Sequence, residues 1–99
     1  MNLKKNKKME TRAEIFKALG HPARLAMIAA LGSGERCVCE LQELVGSDMS
    51  TVSKHLTILR SAGLVSSDKR GKQVFYSLEM PCTLGFIDCV DKALKKQGF

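Results

Sequence analysis

The sequence predicts a mainly α domain carrying one β-hairpin, with elements in the order α-α-α-α-β-β-α. Three observations lead there. Apolar residues recur at helical spacing in successive stretches, most of them bounded by a capping residue, a proline or a glycine. Two short runs of strand-forming residues flank a polar, glycine-containing segment between Leu64 and Leu78. A chain of 99 residues has room for a single domain, and one that buries only a modest share of its unfolded surface unless a second subunit covers more.

Residues 1–10, MNLKKNKKME, are cationic and without periodicity, and read as a flexible basic arm preceding a domain over 11–99. Thr11 and Glu14 have the spacing of a capping box, so a first helix is expected from there to Leu19. Ile15, Phe16 and Leu19 form its stripe, and Gly20 stops it. Pro22 opens a second helix, because proline at the first helical position lacks only a donor that would have been orphaned anyway. This Ala-rich element runs to Leu31 and ends at Gly32-Ser33-Gly34; His21, at its entry, reads as structural. Val38, Leu41, Leu44 and Val45 mark a third helix closed by Gly46. Asp48 caps a fourth, Met49 to Ser61.

On this fourth helix Val52, Leu56 and Leu59 form the buried stripe. The opposite face carries Ser50, Lys54, Thr57 and Ser61, flanked by Thr51 and Ile58. Small hydroxyls, a lysine and no carboxylate suit a groove lined with acceptors and phosphates. His55 falls nearer the buried stripe, which leaves both a packed histidine and a DNA contact open. Arg60, on the flank, is placed for a phosphate or an acidic neighbour rather than a base edge.

The hairpin follows: Leu64 to Ser67, a six-residue loop Asp68-Lys-Arg-Gly-Lys-Gln73, then Val74 to Leu78. Its cationic tip, directly after a helix-turn-helix, has the layout of a wing that straddles the DNA backbone. Pro81 opens the last helix, whose stripe is Leu84, Ile87, Val90, Ala93 and Leu94, with Phe86 beside it. This surface and that of the first helix are left over once the reading unit has formed its own core. Residues 11–19 and 80–97 are therefore the expected contacts of a homodimer, which would present two reading helices to one duplex.

Charge supports that reading. The net charge is +6, distributed as +3 over residues 1–10, −3 over 35–48 and +4 over 50–73, so one face is cationic and attracts polyanions. No apolar run approaches a membrane span, and the Lys-rich start has no following apolar segment or cleavage site, which points to a cytoplasmic protein. Four cysteines in a reducing compartment read as free thiols, metal ligands or redox sensors rather than a disulfide framework. A thiol enzyme is disfavoured: Cys37-Val38-Cys39 lacks the CxxC spacing and a βαβ context, neither histidine has an evident relation to a cysteine, and there is no Gly-rich phosphate loop.

Three stretches, FKALGHPARLAMIAALGSGERCVCEL, STVSKHLTILRSAGLV and RGKQVFYSL, resemble the bacterial ArsR/SmtB family of winged helix-turn-helix, metal-sensing repressors. The resemblance covers about residues 11–78 and reaches the terminal helices by position only. It implies a homodimeric repressor that binds double-stranded operator DNA without a cofactor and leaves it when an inducer binds. Position by position, it makes Ser50, Thr51, Ser53, Lys54, His55, Thr57 and Arg60 of the recognition helix, and Lys69, Arg70, Lys72 and Gln73 of the wing, the candidate DNA contacts. Cys37 and Cys39 match the first two thiols of the arsenic-type box CVCDLC, whose third cysteine is replaced by Gln42. The zinc ligands that other members carry on the last helix are missing, since residues 80–99 hold no histidine. The resemblance therefore implies As(III) or Sb(III) as inducer, with Cd(II) or Pb(II) as alternatives.

These soft, thiophilic ions favour three thiolates. Cys37 and Cys39 would point about 200° apart in a regular helix but to one side in extended chain, so a shared ion requires a non-helical entry to the third helix. Cys82 and Cys89 are the candidates for the third thiolate; seven residues apart on one helix, they cannot bridge each other. Distortion of the helix entry would reach the reading helix through Leu41 and Leu44, packed on Val52 and Leu56. Two alternatives keep the fold: a repressor answering oxidants or reactive sulfur through the same thiols, and a winged-helix interaction module that does not bind DNA.

Overall fold

The computed structural model describes residues 6–99. The elements are α1 (Lys7–Leu19), α2 (Pro22–Leu31), β1 (Arg36–Cys37), α3 (Val38–Val45), α4 (Met49–Ser61), β2 (Val65–Arg70), β3 (Gln73–Leu78) and α5 (Cys82–Lys96). Five helices and an antiparallel hairpin are as expected; the short β1 is an addition. It joins the hairpin as a third strand in the order β1-β3-β2, with Arg36 opposite Tyr76 and Cys37 opposite Phe75. A strand of two residues carries no periodicity, so nothing in the pattern of side chains announces it.

Two boundaries differ from expectation for identifiable reasons. Helix α1 starts a turn early, because Asn6 is its N-cap and accepts from the Met9 N–H at 2.9 Å. Thr11 is consequently inside the helix, its hydroxyl donating to the Lys7 carbonyl at 2.9 Å, and no capping box forms there. Of the arm expected over residues 1–10, residues 7–10 are thus helical, while Lys4 and Lys5 lie outside the described residues. The hairpin is also tighter than a six-residue loop. Arg70 pairs with Gln73, leaving Gly71-Lys72 as the turn, and Gly71 takes φ +63°, the conformation that the first position of a two-residue II′ connection demands.

The core lies where α2, α3, α4 and the base of the hairpin meet. Met27, Ile28, Leu41, Val52, Leu56, Leu59 and Leu64 are all but excluded from solvent. Val52, Leu56 and Leu59 are the predicted inner stripe of α4, so the outward face of that helix is fixed by what its inner face buries. Helix α3 deviates in one respect: Leu41 is buried, whereas Leu44 is half exposed and lies outside the core cluster. The expected coupling of α3 to α4 through both leucines therefore reduces to Leu41, with Val38 and Val45 packed at its margin.

Helix α5 docks on α2 through Leu84, whose methyl carbons lie about 3 Å from where a Cβ at Gly32 would sit. Its other apolar residues, with those of α1, line an open groove of about 470 Å³ that includes Phe16, Leu25, Phe86 and Val90. The Phe16 and Phe86 rings stack at 6.0 Å between centroids. Phe16, Phe86 and Val90 are each about half exposed or more, which for side chains of this size marks an uncovered face rather than a core. Among the described residues no helix is long and apolar enough to cross a membrane.

Candidate nucleic-acid interface and thiol site

Gly46 ends α3 at φ +75°, and the chain turns through Ser47 into α4. Asp48 then caps α4, its Oδ1 accepting from the Thr51 N–H at 2.7 Å. Hydrogen bonding from Thr51 holds the Asp48 carboxyl below its ordinary value of 3.8, so the cap is ionised throughout the neutral range. With α4 so started, Ser50, Thr51, Ser53, Lys54, Thr57 and Arg60 are exposed. Two of these are partly engaged: the Thr57 hydroxyl donates to the Ser53 carbonyl at 2.9 Å, and Arg60 Nη1 donates to the Ser67 hydroxyl of β2 at 3.1 Å.

His55 is partly buried and held from the inner side. Arg24 Nη1 donates to its Nδ1 at 3.0 Å, which puts the ring proton on Nε2, and its ring lies 4.4 Å from that of His21. Desolvation, His21 and then Arg24 together lower the His55 pKa below its ordinary 6.5. His21 caps α2, its Nδ1 accepting from the Ala23 N–H at 3.0 Å. Of the two readings left open for His55, a packed histidine describes these contacts: it ties the reading helix to the entry of α2.

The wing presents exposed Lys69, Arg70, Lys72 and Gln73. Arg70 differs from the two lysines. Its Nη1 and Nη2 meet Glu35 Oε1 and Oε2 at 2.6 and 2.9 Å, its Nε meets Asp68 at 2.9 Å, and its guanidinium lies over the Phe75 ring at 4.7 Å. Glu35 is held below the usual carboxylate range by that bond, and Arg70 is raised further above its own.

Cys37 and Cys39 are brought together. Cys37 ends β1 and caps α3 in extended conformation (φ −76°, ψ 159°), while Cys39 lies in the first turn of the helix. The non-helical entry that a shared ligand requires is therefore present, and the two sulfurs are joined as a disulfide, with Cα atoms 5.4 Å apart. Glu40 closes the junction: its Oε1 accepts from the Cys37 N–H at 3.1 Å and its Oε2 lies 3.4 Å from Arg36 Nη1. Cys37 is buried and Cys39 exposed. Both line a cleft of about 540 Å³ whose other walls are Met49, Ser53 and Thr57 of α4 and Lys72, Gln73 and Tyr76 of the wing. Thiols and reading surface thus share one cleft, a juxtaposition that linear order does not reveal.

Cys82 and Cys89 are exposed on α5 and line no part of that cleft. Among the described residues no group of three or more His, Cys, Asp or Glu side chains could hold a metal ion. The donors expected for a pyramidal three-thiolate site are therefore not assembled within one chain.

A recognition helix with a carboxylate-free outward face, followed by a cationic hairpin, defines a winged helix-turn-helix DNA-binding regulator. Residues 21–67 match the family model of bacterial regulatory proteins of the arsR family. The chain is 43% identical over 70 residues to an HTH-type transcriptional regulator, MJ1325, of Methanocaldococcus jannaschii, spanning 70% of this chain and 79% of that one. It is 36% identical over 70 residues to the transcriptional repressor SmtB of Mycobacterium tuberculosis, covering 71% of this chain but only 52% of the relative, so it spans about half that protein's length. The solution structure of the homodimeric winged helix-turn-helix DNA-binding domain Mb0332 from Mycobacterium bovis superposes with a TM-score of 0.83 at 27% identity, over 100% of this chain and 95% of that one. The chain belongs to the arsR family of transcriptional regulators.

Proposed function

We propose that this chain is a homodimeric transcriptional repressor whose hold on operator DNA is set by the state of the Cys37–Cys39 pair. The observation that carries the reading is the shared cleft: the sulfurs meet at the β1–α3 junction, and the same cleft is walled by the recognition helix and the wing. The homodimeric relative and the uncovered α1–α5 groove support pairing of two chains through that groove.

Of the signals considered, the dithiol–disulfide couple fits the donor set best, because it needs only the two sulfurs that converge. Two thiols give up two protons and two electrons to a peroxide or an equivalent sulfur oxidant, and one S–S bond forms. In the bridged state Leu41 is seated against Val52 and Leu56, so bridging acts at the junction itself: it ties the end of β1 to the first turn of α3, a constraint that the reduced pair lacks. As(III) or Sb(III) would ask for a third thiolate, and Cd(II) or Pb(II) for a fuller donor set, from outside the chain.

The test uses reduced protein on a fluorescent duplex that it has itself selected from a random-sequence pool. Diamide, a persulfide donor, As(III) and Cd(II) are added in parallel, and anisotropy reports release. The dithiol reading expects release by diamide or persulfide, and Cys39→Ser that still binds DNA but no longer responds. Release by As(III) or Cd(II) alone would replace it with the metal(loid) reading. Failure to select any duplex would return the chain to an interaction module.

A further inference from the structure

Three cations stand at the wing tip, but they are not in equivalent positions. Lys69 and Lys72 are exposed and, among the described residues, make no ion pair. Arg70 has the forked edge of its guanidinium on Glu35, through Nη1 and Nη2 at 2.6 and 2.9 Å, and its remaining edge on Asp68, through Nε at 2.9 Å. One face of the plane is covered by Phe75. A guanidinium grips a phosphate through those same forked edges, and both are already filled by carboxylates. The cluster Glu35–Arg70–Asp68 carries two negative charges against one positive, so a polyanion approaching it meets no net attraction. Glu35 comes from far away in sequence, from the loop between α2 and β1, and nothing in the wing's own residues accounts for its presence.

We propose that Glu35 masks Arg70 from the DNA backbone, so that the wing engages phosphate through Lys69 and Lys72 only and Glu35 sets how tightly the protein holds DNA. The inference rests on DNA binding and is independent of the signal at the thiols. Its location is nonetheless consequential. Glu35 precedes Arg36 and Cys37, the two residues of β1, so any rearrangement of that strand moves the carboxylate relative to the wing arginine.

The dependence of affinity on salt separates a masked cation from an engaged one. Each phosphate neutralised adds about 0.9 to the slope of log Kobs against log[salt]. Binding of the reduced, full-length chain to its selected duplex is measured by anisotropy from low to moderate salt for wild type, Lys72→Ala, Glu35→Gln, Arg70→Ala and the Glu35→Gln/Arg70→Ala double variant. All three positions are exposed, and the variants are checked by circular dichroism. Lys72→Ala is the ruler and flattens the slope by about 0.9. The mask predicts that Glu35→Gln steepens the slope by about the same amount and tightens binding several-fold at low salt. It also predicts that the steepening is lost when Arg70 is absent, because an unpaired carboxylate can repel DNA from a distance but only the freed guanidinium can add a contact. An equal steepening in the Arg70→Ala background, a flat response to Glu35→Gln, or a slope that Arg70→Ala lowers as far as Lys72→Ala does would each overturn the proposal. Absence of wild-type binding would instead refute the repressor reading on which it stands.

Discussion

Leu41 is the fully buried residue of α3 that packs the helix behind the thiol junction against the reading helix, and truncating it should separate two sides of α3 that the sequence pattern treats alike. The Leu41 side chain is 1% exposed and belongs to the core cluster with Val52 and Leu56; Leu44, one turn further along the same helix, is 52% exposed. Leu41→Ala removes three buried carbons at about 0.8 kcal/mol each, roughly 2.4 kcal/mol of transfer energy, and the cavity left beside α4 raises the cost to about 3 kcal/mol. In a domain of this size each kcal/mol moves Tm by about 4–8 °C, so the variant should melt roughly 12–24 °C below wild type. Leu44→Ala should stay within about 1 kcal/mol. The assay is thermal and urea unfolding followed by far-UV circular dichroism at one fixed protein concentration, because association shifts apparent stability by mass action. Each variant is then tested for effector-induced release at a temperature where it is folded. Loss of release amplitude in Leu41→Ala with retention in Leu44→Ala is expected. Equal losses of stability, or equal losses of response, would refute a route confined to the buried side of α3.

Two further outcomes follow from local geometry. Because desolvation, His21 and Arg24 lower the His55 pKa below 6.5, the folded state binds fewer protons than the unfolded state as pH drops through that value, and stability falls in that window. The loss ends once pH passes below the lowered folded pKa. A pH series of urea midpoints from pH 8 to roughly pH 5 should show this decline in wild type and a flatter curve in His55→Gln; identical curves would remove His55 as its source. The depressed Glu35 and Asp48 carboxyls do not confuse the reading, since their contributions are lost only at lower pH, below their ordinary values of 4.5 and 3.8. Gly46→Ala tests the turn between α3 and α4. Nothing lies within 4 Å of the added methyl, so the cost is that of a left-handed backbone at φ +75°, about 1–2 kcal/mol, visible as a lower urea midpoint with an unchanged slope. A neutral substitution would mean that the turn relaxes freely.

How much of this was legible in the sequence depends on how local the cause is. The inner stripe of α4 and its Asp48 cap and the Pro22 start of α2 each follow from a few consecutive residues and appear where the pattern put them, as does the pairing of the wing strands, though these run on to a two-residue turn. What escaped were features decided by residues distant in sequence. Leu44 has the same spacing argument as Leu41, but burial depends on whether a partner element covers that side of α3, and among the described residues Leu44 is left half exposed. Arg70 reads as a wing cation by position; the carboxylate that occupies it is 35 residues away. His55 could be read both ways until Arg24 and His21 were seen beside it. Cys37 and Cys39 were recognisable as a pair from their spacing alone, but the cleft that puts them against Ser53, Thr57 and Lys72 exists only once β1 has joined the wing sheet.

Strand β1 links the thiol junction directly to the wing sheet. A route from the thiols through α3 to α4 is a packing route, and it carries a displacement only as far as Leu41 can shift without leaving a void. A second route runs through backbone. Cys37 pairs with Phe75 in β3, the strand that forms one arm of the wing, and Phe75 lies under the Arg70 guanidinium that Glu35 holds from the other end of the same short segment. Two ladder residues, the Glu40 cap, the ion pairs of Glu35 with Arg70 and of Arg36 with Glu40, the Arg36–Ser33 hydrogen bond and the Cys37–Cys39 bridge fasten this segment. The bridge apart, these are mostly exposed polar contacts, which open at lower free energy than the packed core behind them. On the proposed reading, that is the property a sensing junction needs, because a modest chemical change at two sulfurs would then bias the wing without first unfolding the domain.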